Sequence, residues 1–244
     1  MKRVFADLHL TLNVKDPAAT LRIVKKVATL GYGLIAIPLP PEVRADEIAK
    51  LRIVCSEAGM DFATRLDLQP RTPNELLHQL RRTRRKFEVV CVNCESKTVA
   101  RQAAKDRRVD LLNFPFLDFR RRFFDRSEAE LARRGLAALE IDVRPLLVLE
   151  GAARVRLLST LRREVAIAKD FHVPLVISSG VAQEMLLRKP REMAALGFLF
   201  GFDEVSALKA VSQSANAIVK CNRAKLGTEF VAPGIRSIIE GKDC

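Results

Sequence analysis

Val173-Pro174-Leu175-Val176-Ile177, continued by Ser178-Ser179-Gly180, is the stretch that decides how this chain is read. A short unbroken apolar run that ends in small residues reads as a parallel strand buried on both faces. The small residues let the backbone approach another group closely. Beyond them, Arg188-Lys189-Pro190-Arg191 opens a basic helix with proline in its first turn. In an α/β barrel, the end of a strand leading into a helix start is where a phosphate is held. Ser178, Ser179 and Gly180 are therefore expected to offer hydroxyl and backbone donors, and Arg188, Lys189 and Arg191 to meet phosphate.

Working outward, similar runs recur at Val4–Leu8, Leu34–Pro38, Phe62–Leu68, Phe87–Val92, Leu111–Phe114 and Leu139–Val143. Helix signals lie between them. Asp16 caps a helix with Pro17 at its first position, Leu21, Val24 and Ala28 share a face, and Gly31 stops it. Thr72-Pro73-Asn74-Glu75 and Ser127-Glu128-Ala129-Glu130 read as capping boxes. Val155, Leu158, Leu161, Val165 and Ala168 form an apolar stripe at helical spacing, and helices continue from Pro190 to about Lys225. Strands alternating with helices predict parallel βαβ units. Seven strands, with an eighth expected near Ala217–Cys221, give a TIM-like (β/α) barrel of seven to eight strands over residues 1–228, with a C-terminal tail at 229–244. An open doubly wound sheet is the second reading. The first strand-to-helix turn lacks a dinucleotide glycine fingerprint, and the chain has no P-loop.

The length of 244 residues suits one such barrel, and 48% apolar content can fill its core. The net charge of +13 is harder to explain by folding, because like charges repel. It is also uneven: Arg71 to Arg108 carries eleven Lys/Arg against four Asp/Glu. A polyanion is the expected partner, nucleic acid first, with a merely solvated surface as the second reading and an anionic membrane as the last. No apolar run approaches the ~18 residues of a spanning helix. Asp7 and His9 interrupt any signal-like stretch after Met1-Lys2-Arg3. Five cysteines without framework spacing fit a reducing cytoplasm.

Candidate chemistry is sparse. Asp7 and His9, two apart at the first strand's end, share a face and could begin a metal site. His78 and His172 lie elsewhere and add no ligand cluster. Hydrogen bonding within the barrel mouth is the favoured role for both, with RNA contact as a further one. Cys91-Val92-Asn93-Cys94 stands alone and reads as core thiols. Asp67, Asp110, Glu140 and Asp142 lie near strand boundaries and are expected to pair with arginines rather than act as acid and base. The basic clusters are Arg81–Lys86, Arg101–Arg108, Arg120-Arg121-Arg122 and Arg188–Arg191. Arginine grips phosphate bidentately, so these clusters favour structured RNA. With no Trp and one Tyr, contact should run mostly through backbone and shape. Phe114, Phe116, Phe119, Phe123 and Phe124 interleave with Arg120–Arg122 and are expected in the core or against a protein, with base stacking as the lesser alternative.

Several phrases taken together resemble one family. They are Lys105-Asp106-Arg107-Arg108-Val109-Asp110-Leu111-Leu112 followed by Asn113-Phe114-Pro115; Phe124 to Ala129; Ala138-Leu139-Glu140-Ile141; Leu161-Arg162-Arg163-Glu164; Ile167-Ala168-Lys169; and Val176 to Gly180 before Leu187 to Arg191 and Ala195-Leu196. In order and spacing they resemble archaeal ribonuclease P protein component 3, the relative of the eukaryotic thirty-kilodalton subunit, from about residue 3 to 236. Val181 and Lys189 depart from the family's usual alanine and serine. The resemblance implies a barrel related to the polymerase-and-histidinol-phosphatase (PHP) phosphoesterases. Their His-x-His start reads Asp7-Leu8-His9 here. It implies an accessory subunit of the particle that removes 5′ leaders from precursor tRNA. Hydrolysis there is done by the RNA with Mg²⁺, and this chain needs no cofactor of its own. The implied partners are the ribonuclease P RNA, precursor tRNA indirectly, and other protein subunits, especially a small RNA-recognition-like one. Arg101, Lys105, Arg107, Arg108, Arg120, Arg188, Lys189 and Arg191 are the expected phosphate contacts. Two rivals stand beside this: a PHP-type phosphoesterase with Asp7 and His9 as metal ligands, and a barrel enzyme gripping a small phosphorylated metabolite at Ser178–Gly180.

Overall fold

Seven strands pair in sequence order, each parallel to the next: β1 (Ala6–Asp7), β2 (Leu34–Pro38), β3 (Asp61–Leu68), β4 (Val89–Asn93), β5 (Leu111–Asn113), β6 (Ala138–Asp142) and β7 (Leu175–Ser178). The computed structural model describes residues 3–14, 16–115, 122–227, 230–232 and 235–236. The order never reverses, so there is no switch point and the doubly wound reading falls. The ring closes just past the strands. Leu10 bridges Val181 in parallel, and the amides of Gly180 and Thr11 donate to His9 O (2.9 Å) and Val181 O (3.0 Å).

Between the strands lie α1 (Pro17–Leu30), α2 (Ala45–Glu57), α3 (Pro73–Thr83), α4 (Lys97–Lys105), α5 (Arg126–Gly135), α6 (Arg144–Val148) and α7 (Gly151–Asp170). α8 (Pro190–Gly197), α9 (Glu204–Ala210) and α10 (Gln213–Leu226) follow β7. Asp16 caps α1 as expected, accepting from Ala19 N at 3.0 Å, and Gly31 ends it at φ 101°. Thr72 caps α3, but Glu75 reaches back to Arg71 N rather than Thr72 N. The cap of α5 is Asp125, not Ser127: its carboxylate already takes Glu128 N at 2.8 Å, two residues ahead of the expected box. In α7 the buried face is Leu157, Leu161, Glu164, Val165 and Ala168, while Val155 is exposed. Glu164 turns the helix this way because buried Arg122 holds both of its oxygens.

The expected eighth strand is a helix. Ala217–Cys221 lies within α10, whose buried residues Ala215, Val219 and Asn222 recur at helical spacing. Ala215 and Val219 join the barrel's inner cluster with Ala6, Leu8, Leu34, Ala36, Ala63, Val89, Cys91, Leu111, Ala138 and Val176. Asn222 donates to Glu88 O and Asp110 Oδ1, both at 2.8 Å, and Asn216 to Val4 O at 2.8 Å. These acceptors sit where strands begin, so α10 floors the barrel at the strands' N-terminal end. Fully burying an aliphatic side chain there stabilises by about 1.5–3 kcal/mol. Beyond α10, β8 (Phe230–Ala232) and β9 (Ile235–Arg236) form a separate antiparallel pair outside the barrel sheet.

Candidate functional site: the barrel mouth and the cationic helix ends

Side chains alternate along a strand, so the inward-facing apolar residues announce which later residues line the mouth. On β3, Ala63 faces in, and Arg65 and Asp67 follow at the same period. On β6, Ala138 leads to Glu140 and Asp142; on β5, Leu111 leads to Asn113; on β7, Val176 leads to Ser178. The floor is therefore apolar and the upper half polar.

Arg65 lies at the centre, with no exposed surface. Its Nε donates to Asp67 Oδ1 (2.6 Å), Nη1 to Glu140 Oε1 (2.6 Å) and Leu8 O (2.7 Å), and Nη2 to Glu140 Oε2 (2.7 Å). Glu140 also accepts from Ser178 Oγ (2.7 Å) and Asn113 Nδ2 (3.0 Å). Burial alone would push the Glu140 carboxyl up, but the Arg65 charge and fork, with His9 and Asn113, hold it well below the usual range. His9 Nδ1 sits 2.9 Å from Asp142 Oδ1, and its Nε2 lies 3.5 Å from Asp67 Oδ2. Burial and Arg65 push the imidazole pKa down; the charge and hydrogen bond of Asp142, with Glu140, outweigh them and raise it to about 9. His9 is thus a cation at neutral pH, with a carboxylate at each ring nitrogen.

His9, Glu140 and Asp142 place potential ligand atoms within 4.8 Å of one another. They do not fit a divalent ion as arranged. The guanidinium of Arg65 already occupies both oxygens of Glu140, and the Nδ1 of His9 is taken up by Asp142. Asp7 is not part of this group. It lies between the inward residues Ala6 and Leu8, and its Oδ1 accepts from His9 N (3.1 Å) and Ser179 N (2.9 Å). Burial raises its pKa despite those amides, and its Oδ2 has no hydrogen-bond partner among the described residues. The expected shared face of Asp7 and His9 is absent because the chain leaves the strand after Asp7.

Ser178, Ser179 and Gly180 are likewise turned inward. Ser178 Oγ serves Glu140, Ser179 N serves Asp7, and Ser179 Oγ (3.1 Å) and Gly180 N serve His9 O. Ser178 and Ser179 are buried. Gly180 holds φ 63°, and a Cβ there would meet Asp142 Cγ at 2.9 Å. The expected phosphate grip is instead the seal of the mouth. Cys91 and Cys94 are buried free thiols, as the sequence suggested. Asp110 pairs with Arg84 at 3.3 Å, at the floor.

The expected phosphate contacts do not form one site. Arg101 is held by both oxygens of Asp125 (2.8 and 2.7 Å) and lies near Glu128 (3.4 Å). Arg108 closes on Asp106 (2.9 and 2.7 Å). Arg188 turns its Nη1 to Met185 O and Leu187 O (both 2.9 Å). Lys105, Arg107, Lys189 and Arg191 are exposed. Arg120 lies outside the described residues, as do Phe116, Phe119 and Arg121. Helices run antiparallel to the strands, so Lys105 and Arg107 lie at the floor end, while Lys189 and Arg191 lie at the mouth end. At the floor end the neighbouring helices α3, α4 and α5 all finish in cations: Arg81, Arg82, Arg85 and Lys86; Lys105 and Arg107; Arg133. All are exposed, without an ion pair among the described residues. Cations suit helix C-termini, which is why Arg133 drew no notice in the sequence. Phe114 and Phe124 pack edge-on in the core at 6.0 Å, and Phe123 is half-buried.

The fold and its two ends define a TIM-like barrel whose mouth is closed by its own ion pairs and whose outer surface is cationic. The chain belongs to the RNase P subunit p30 family, whose profile matches residues 4–226. It is similar to ribonuclease P protein component 3 of Methanosarcina mazei, 32% identical over 215 residues, which is 88% of this chain and 87% of that protein. The same component of Methanosarcina acetivorans is 33% identical over 185 residues, 76% of each. Among solved structures, the chain resembles one in the cryo-EM structure of archaeal ribonuclease P with mature tRNA. The TM-score is 0.84 at 19% identity, covering 98% of this chain and 99% of that one, a likeness of fold.

Proposed function

We propose that this chain is a protein subunit of ribonuclease P that binds the RNA of the particle and leaves hydrolysis of the precursor tRNA leader to that RNA and its Mg²⁺. Family membership supports the role. The observation that carries the mode of action is the segregation of charge. Cations inside the barrel are fully paired, whereas Arg81, Arg82, Arg85, Lys86, Lys105, Arg107 and Arg133 at the ends of α3, α4 and α5 are exposed, without an ion pair among the described residues. Unpaired arginines at adjacent helix ends can neutralise closely packed phosphates, which should lower the Mg²⁺ needed to fold the RNA. Lys105 and Arg107 belong to that surface; Lys189 and Arg191 offer a second contact at the opposite end. The small RNA-recognition-like subunit is the expected protein neighbour.

The phosphoesterase reading is not favoured, because Arg65 and His9 take up the carboxylates a metal would need. The metabolite reading loses its phosphate grip with the inward turn of Ser178–Gly180. Reconstitution tests the proposal. Cleavage of precursor tRNA by the cognate RNA and the other protein subunits should need more Mg²⁺ when this chain is left out. An unchanged Mg²⁺ requirement would contradict it.

A further inference from the structure

On the outside of the barrel, at the mouth end, a cleft of about 520 Å³ opens between the start of α4, the segment entering α5, and the middle of α7. It is separate from the floor-end cations. Lys97, Arg126 and Arg163 line it, one from each of the three elements. Arg126 and Arg163 are exposed and make no hydrogen bond or ion pair among the described residues; Lys97 Nζ lies 4.0 Å from Asp125 Oδ2. The acid in the cleft, Asp125, is already engaged by Arg101 and by Glu128 N. Half-buried Phe123 supplies an aromatic wall, and the first turn of α5 opens beside it.

The walls are fixed. Buried Arg122 ties α7, through Glu164, to the carbonyls of Phe114 (2.9 Å) and Pro115 (3.4 Å). Three converging cations therefore surround a preformed hollow with one ring at its side. A duplex backbone is convex and has no free base face for a recessed ring. An unstacked nucleotide brings both a phosphate and an exposed base.

Resting on the RNA-binding reading above, we propose that this cleft takes a single-stranded nucleotide of the particle's RNA, its phosphate among Lys97, Arg126 and Arg163 and its base against Phe123. The test measures affinity of the cognate ribonuclease P RNA for the assembled protein set across a salt series. Replacing Lys97, Arg126 and Arg163 together by Ala should lower the log–log salt slope by about 0.7, the value of one single-strand phosphate contact. Phe123→Leu should weaken binding about tenfold, while Phe123→Tyr keeps it within about twofold, since stacking is worth a factor of that order. Thermal melts of the variants check that the barrel is intact. If the triple variant fails to fold, Arg163→Gln alone should still lower the slope, by a part of that ~0.7, and weaken binding at low salt. An unchanged slope overturns the proposal. So does equal weakening by Leu and Tyr, or loss of a protein neighbour with RNA affinity retained. A wild-type assembly that binds RNA without salt dependence would instead sink the RNA-binding reading itself.

Discussion

The two ends of this barrel use the same residue types for opposite purposes. At the mouth, Arg65 and His9 stand among Asp67, Glu140 and Asp142, and each cationic nitrogen faces an oxygen. Around the floor, Arg81, Arg82, Arg85, Lys105, Arg107 and Arg133 face water with no ion-paired carboxylate among the described residues. Charges buried out of water must be matched inside the chain. Charges left at the surface contribute little to folding and remain available to a partner. The difference separates a fold-holding end from a binding end.

The largest effect should come from breaking the buried set. Arg65→Met leaves Glu140 buried and unmatched, and should cost about 3–5 kcal/mol in urea unfolding. That is a large share of a stability typically near 5–15 kcal/mol. A loss below about 1 kcal/mol would mean the mouth is not where the barrel is held together. Next comes a pH effect. The folded pKa of His9, about 9, lies above its ordinary 6.5, so its contribution is complete below about pH 6.5 and is lost as pH rises through 9. The stability difference between wild type and His9→Gln should therefore shrink across that interval, by up to about 3 kcal/mol. A difference that is flat with pH would contradict the paired imidazolium.

Much of this was legible in the chain. The apolar runs marked all seven strands within a few residues, because parallel strands buried on both faces leave little choice. The eighth failed because Ala217-Ile218-Val219 is equally apolar in a helix that covers a barrel floor. The carboxylates Asp67, Glu140 and Asp142 stood out at strand ends, but Arg65 did not, since an arginine in a basic chain reads as surface. The signal was present: Ala63, Arg65 and Asp67 alternate with Phe62, Thr64, Leu66 and Leu68, a set apolar but for Thr64, so a strand buried on both sides had to carry Arg65 inward. Ser178–Gly180 stands at a strand end as expected, and its donors there meet Glu140, Asp7 and the His9 carbonyl. Sequence shows donors, not which acceptors a closing barrel brings to them.

Smaller effects extend the contrast. Ser178→Ala removes one of the donors to Glu140 and should cost about 1 kcal/mol, with the fork of Arg65 still in place. A cost near that of Arg65→Met would mean the serine, not the arginine, organises the mouth. At the floor, replacing Arg81, Arg82, Arg107 and Arg133 together by Ala should leave unfolding within about 0.5 kcal/mol of wild type. A large destabilisation would show that these cations serve the fold after all.

That same floor variant gives the most direct measurement: the salt dependence of affinity between the assembled protein set and the cognate ribonuclease P RNA. With four phosphate contacts removed, the log–log slope should fall by roughly 3–4, with the thermal melt unchanged. An unaltered slope in a folded variant would contradict the assignment of the unpaired cations to RNA.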